Sequence, residues 1–108
     1  MQKKAWQSAI QTYQRMIAMN RFDFRCWENL GFCYINLEDM SLAKTSYEQA
    51  VQLNPFEAEA WIALANIYVK MGNNDLAFSA YQNGLKYDWL DAEKRQQALQ
   101  AIERMKSD

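Results

Sequence analysis

Histidine is absent from the 108 residues. That removes the usual general base, the Ser-His and Cys-His nucleophile pairs, and every imidazole metal ligand. Proline occurs once and glycine three times, which argues against long turn-rich stretches. The two cysteines, Cys26 and Cys33, are seven residues apart, two turns along one helical face. At that separation they cannot bridge each other, and they fit neither a zinc spacing nor a C-x-x-C redox motif. They are expected to be buried structural thiols. No Gly-rich phosphate loop occurs. No run of about 18 apolar residues exists, so no transmembrane helix is expected. The start, Met1-Gln-Lys-Lys-Ala-Trp6, lacks the apolar stretch of a signal peptide. The expectation is a soluble, intracellular, cytoplasmic protein that uses no cofactor and no metal and is not an enzyme.

Charge of one sign is also lacking, since the formal net charge is −1. It is unevenly spread. Residues 1–23 set Lys3, Lys4, Arg15 and Arg21 against Asp23, whereas residues 24–57 and 58–91 are net acidic. A surface that reads nucleic acid needs basic residues, so RNA or DNA binding is not expected. The acidic pairs Glu38-Asp39 and Asp88/Asp91 lie at inferred helix ends, where negative charge serves capping.

What the chain does have is hydrophobic residues, half of the total, and 14% aromatics. They recur at helical spacing. Trp6, Ala9, Ile10, Tyr13, Met16 and Ile17 share one face of a helix over residues 1–20. Trp27, Leu30, Gly31 and Tyr34 form a single stripe, and so do Trp61, Leu64, Ala65 and Tyr68, each residue 34 positions after its counterpart. Ala43 and Tyr47 are followed at the same interval by Ala77 and Tyr81, and preceded by Ala9 and Tyr13. Gly31 inside a helix costs about 1 kcal/mol against Ala, so a close helix–helix approach is expected there. Asp23 is a candidate N-cap, Glu38-Asp39-Met40-Ser41 supplies polar capping residues, and Asn54-Pro55 stops a helix. Gly72 suits a C-terminal cap, with Asn73 or Asn74 as the next N-cap. A last helix over 92–106 has Ala98, Leu99, Ile102 and Met105 as its apolar side.

A 34-residue period carrying W-x-x-L-G-x-x-Y and then A-x-x-x-Y resembles the tetratricopeptide repeat. The resemblance implies an all-α fold: a helical-hairpin solenoid, coiled as a right-handed superhelix, forming a single domain over 1–108. Its parts would be the second helix of an incomplete repeat (1–23), full repeats at 24–57 and 58–91, and a C-terminal capping helix (92–108). Two positions depart from the family. Trp89 stands where Pro is usual, and Gly84 where Ala is usual.

The resemblance further implies protein binding in a concave groove lined by the first helix of each repeat. With Trp27, Leu30, Gly31 and Tyr34 turned inward, the adjacent stripe faces the groove: Arg25, Glu28, Asn29, Phe32 and Asn36 in one repeat. In the other it is Glu59, Ile62, Ala63, Asn66, Val69 and Lys70. Mixed aromatic, aliphatic and amide groups suit a peptide or helix of a partner protein, as scaffold or chaperone-like adaptor; the alternative for Phe32 and Ile62 is packing against the neighbouring helix. The carboxylate clamp that grips acidic chaperone tails is not expected, because Glu28, Phe32, Glu59, Ile62 and Glu93 occupy the matching positions. The order of half repeat, two repeats and polar closing helix is also similar to the small cytoplasmic chaperones of bacterial type III secretion translocators. A structural reading, self-assembly as part of a larger solenoid, stands beside it. Because the first helix lacks its own hairpin partner in the sequence, Trp6, Ile10, Tyr13 and Ile17 are expected to leave an exposed apolar strip that pairs two copies into a homodimer, the alternative being cover by upstream residues of a longer chain.

Overall fold

The caps and apolar stripes produce six helices in the computed structural model, which describes residues 2–87 and 89–107. They are α1 (Lys3–Met19), α2 (Phe24–Asn36), α3 (Met40–Leu53), α4 (Ala58–Lys70), α5 (Asn74–Leu85) and α6 (Ala92–Ser107). The chain divides into two compact units, Met1–Pro55 with α1 to α3 and Phe56–Asp108 with α4 to α6. Asp88, one half of the expected acidic pair, lies outside the described residues.

In the first unit α2 packs on both α1 and α3. Asp23 starts α2 by accepting the Arg25 N–H at 3.0 Å. Asp39 starts α3 by accepting the Leu42 N–H at 3.2 Å. Each side chain thus satisfies a backbone donor that the helix leaves open. The α2–α3 hairpin closes tightly because Gly31 has no side chain. A Cβ there would stand 2.6 Å from two ring carbons of Tyr47. Ala43, Tyr47, Ala50 and Val51 are all buried beneath this contact. Cys26 and Cys33 are buried free thiols. Pro55 lies in the turn after α3, three residues ahead of α4, so it ends one helix without opening the next.

In the second unit α5 packs on α4 and α6. Asn73 caps α5 by accepting the Leu76 N–H at 3.2 Å. The link between α4 and α5 repeats the link between α2 and α3 bond for bond. Asp39 N–H donates to the Tyr34 carbonyl and Asn73 N–H to the Tyr68 carbonyl, each at 2.9 Å. The residue before each cap is left-handed: Glu38 at φ 61° and Gly72 at φ 81°. Ala98 and Ile102 bury the inner side of α6, while Leu99 stays exposed.

Both organising tryptophans lie shallower than the repeat stripe implies. Trp27 and Trp61 are half-buried, whereas Leu30, Leu64 and Ala65 are buried. For Trp27 the cause is visible: its indole N–H donates to the Arg21 carbonyl at 2.9 Å, which holds the ring at the rim of the core.

Candidate functional site

Helix geometry sets Arg25, Asn29, Phe32 and Asn36 in one row of α2, turned away from the buried Leu30 and flanked by the buried Cys33. Arg25, Asn29, Phe32 and Asn36 are all exposed. Phe32 is 52% exposed, and its ring meets Trp6 of α1 edge to face at 5.6 Å. The Asn36 amide donates to the Phe32 carbonyl at 2.8 Å, and the Arg25 guanidinium lies over the Phe24 ring at 5.7 Å. Glu28, expected in the same row, is half-buried. Its charge acts on Tyr47, whose phenol is pushed well above the usual range, first by burial and then by Glu28 and Cys33. The outward row of α2 is therefore an apolar ring with amides and one cation around it, and the carboxylate faces the hairpin.

On α4 the expected row separates. Asn66, Val69 and Lys70 are exposed. The Asn66 carbonyl oxygen accepts the hydroxyl of Tyr81, a residue only 2% exposed. That bond fixes the amide orientation and leaves its two N–H donors for another molecule. Glu59 pairs with Lys94 at 3.2 Å on the surface. Ile62 does not project outward as expected. It is 6% exposed, because Gly84 of α5 opens a hole that its side chain fills. A Cβ on Gly84 would stand 2.6 Å from Ile62 Cδ1. In the first repeat the same two positions hold Glu28 and Ala50. The sequence pattern marked Gly84 only as a departure from the usual Ala, not as a receptor for Ile62.

The apolar face of α1 is likewise more covered than expected. Ile10 is buried with Leu30 and Cys33, and Trp6, Ala9, Tyr13 and Ile17 pack against that cluster. A single partner helix, α2, covers most of the strip. What α1 leaves strongly exposed is Met19, at 88%.

The sequence pattern did not anticipate a run of rings at the end of α5. Trp89 stacks on Tyr87 with centroids 4.7 Å apart, and Tyr87 meets Phe56 edge to face at 6.0 Å. The departure of Trp89 from the repeat pattern was the only signal for it.

Models described as tetratricopeptide repeat match residues 24–57 and, in a second register, residues 46–78. Several solved structures share the fold. MamA is 24% identical, with a TM-score of 0.73 over 89% of this chain and 52% of that one. The Yersinia enterocolitica type III secretion chaperone SycD, in complex with a peptide of the translocator YopD, is 19% identical. Its TM-score is 0.82 over 95% of this chain and 83% of that one. A thermophilic protein with these repeats from Thermus thermophilus is 25% identical, with a TM-score of 0.80 over 93% of this chain and 51% of that one. The chain thus spans about half the length of MamA and of the Thermus protein. No curated protein matches it in sequence.

Proposed function

This chain belongs to the tetratricopeptide-repeat family, and from that premise we propose that it is a non-catalytic protein–protein interaction module, a scaffold or chaperone-like adaptor. We read it as a half repeat, two full repeats and a capping helix. A peptide or helix of a partner protein is held on the outward face of the first helix of a repeat, α2 in one and α4 in the other. The observation that carries this reading is Phe32, an aromatic ring half exposed amid Arg25, Asn29 and Asn36, where a monomer gains nothing by presenting it to water. Asn66, with its amide fixed by Tyr81, adds a donor pair suited to a peptide backbone, and Val69 adds aliphatic surface beside Lys70.

The test is affinity capture from the native cell with wild type, Phe32→Ala and Val69→Ala chains of equal stability. A specific retained protein that is lost with Phe32→Ala supports the reading. Equal retention by all three refutes it. The narrower reading, a chaperone of a type III secretion translocator, has in its favour the likeness in fold to SycD, solved with a YopD peptide. A translocator-like segment retained in the same experiment would select it. A homodimer through α1 would use the parts of Trp6, Tyr13 and Ile17 that α2 leaves open. Sedimentation equilibrium of wild type against Trp6→Glu decides that point, and a strictly monomeric wild type sets it aside.

A further inference from the structure

Phe56, Tyr87 and Trp89 form a continuous run of three rings in the second unit. Tyr87 and Trp89 each have a fixed neighbour. Leu90, next to Trp89, is 4% exposed and anchors the chain inward. Arg95 of α6 donates through one guanidinium nitrogen to the Leu85 carbonyl at 3.1 Å and through the other to the Tyr87 carbonyl. The Leu85 carbonyl is the last of α5, and the Tyr87 carbonyl just beyond it also accepts the Leu90 N–H at 3.4 Å. The rings are therefore fixed by a buried leucine and a charged clamp, yet Phe56 remains 64% and Trp89 65% exposed. Tyr87 stacks on the Trp89 indole, and the Trp89 side chain nonetheless stays largely exposed. Among the described residues the Trp89 indole N–H makes no hydrogen bond.

We propose that this aromatic run is a docking site for a short proline-rich segment of a partner, bound in the polyproline II conformation. The exposed ring area favours a small occupant. Aromatic side chains bury about 150–250 Å² each, so two that are two-thirds exposed offer on the order of 300 Å². A stable dimer or globular partner needs about 800 Å² from each side. So small a contact suffices only for a ligand that loses little freedom on binding, and polyproline II is already ordered in solution. Proline rings present flat apolar faces that stack on Trp89 and fill the angle between Tyr87 and Phe56. The chain between them carries carbonyls with no internal hydrogen bonds, and the Trp89 N–H is the donor that meets one.

The experiment follows the four indole N–H resonances of the chain by NMR while a peptide of about ten prolines is added. A Gly/Ser peptide of equal length is the control. The Trp89 resonance is expected to move saturably with polyproline and not with Gly/Ser, while that of Trp27, already bonded to the Arg21 carbonyl, stays in place. Trp89→Ala should weaken binding at least ten-fold, and Phe32→Ala should leave it unchanged, which separates this site from the α2 face. Should Trp89→Ala fail to fold, the comparison of the two peptides on wild type still decides. A stationary Trp89 resonance, or equal movement with both peptides, overturns the proposal. Movement on raising protein concentration with no peptide present also overturns it, and makes a second copy of the chain the occupant.

Discussion

Replacing Ile62 by Ala is expected to destabilise the chain by about 2–5 kcal/mol, the range for a buried isoleucine truncated to alanine. The position lies on the same helix as Val69, only seven residues earlier, yet the two side chains differ in surroundings. Ile62 is 6% exposed and Val69 41%. Val69→Ala should therefore cost no more than about 0.5 kcal/mol, as at ordinary surface sites. The stronger test is the pair Ile62 and Gly84. In wild type, Gly84→Ala gains about 1 kcal/mol of helix propensity. The new methyl then meets Ile62 Cδ1 at 2.6 Å and the Ala58 carbonyl oxygen at 3.2 Å. Overpacking of that kind costs about 1–3 kcal/mol, so the single variant comes out neutral to destabilised. With Ile62 already cut to Ala, the nearer obstacle is gone and the methyl enters the space it left. Only the tight approach to the Ala58 carbonyl remains. Gly84→Ala should then stabilise, and the two substitutions should couple by about 1–2 kcal/mol in the direction of rescue. Urea denaturation of the four chains, followed by helical circular dichroism, measures every term. Strict additivity, or an Ile62→Ala chain as stable as Val69→Ala, would refute the packing of Ile62 on Gly84.

Phe32→Ala should change the unfolding midpoint little, because what it loses in the fold is chiefly the edge contact with Trp6, about 0.5–1.5 kcal/mol; a large loss in urea denaturation would place Phe32 in the core instead. Tyr81→Phe removes a hydroxyl whose partner is the Asn66 amide, and should cost about 1 kcal/mol while freeing that amide to rotate; unchanged order parameters for the Asn66 side chain would contradict the bond. Burial pushes the phenols of Tyr47 and Tyr81 above their ordinary value of 10.0. Since the folded state holds those protons more tightly than the unfolded state, their contribution is intact below pH 10 and declines as pH rises further. Denaturation midpoints taken across that range should fall, with a shallower slope in Tyr47→Phe; a flat profile for wild type would argue against it.

The helices were legible in the sequence because each announces itself locally. Asp23, Asp39 and Asn73 all cap where polar residues precede an apolar stripe, and Gly72 takes the left-handed position expected of it. The tight contact at Gly31 was legible as well, since a helix carries an interior glycine at a cost only packing can offset. What was not legible depends on pairs of residues distant in sequence. Ile62 reads as an outward residue until Gly84 is set against it. The face of α1 reads as exposed until the breadth of α2 that covers Ile10 is known. Trp89 was visible as an oddity, but its stacking on Tyr87 depends on where Arg95 fastens the end of α5.

The two hairpin links use the same backbone and side-chain bonds, yet one sets Glu38 and the other Gly72 at the left-handed position. A side chain in that conformation is strained, and only glycine adopts it freely. The link is thus a joint whose wiring is fixed while its occupant is free to drift. Exchanging the pair 38–39 for the pair 72–73 would carry every bond across intact and remove the strain at one end. Such a joint is a natural seam for recombination: the bonds that close it are the same at both points, and only the pairs that meet across each hairpin, Ile62 with Gly84 and Asn66 with Tyr81, would have to be remade.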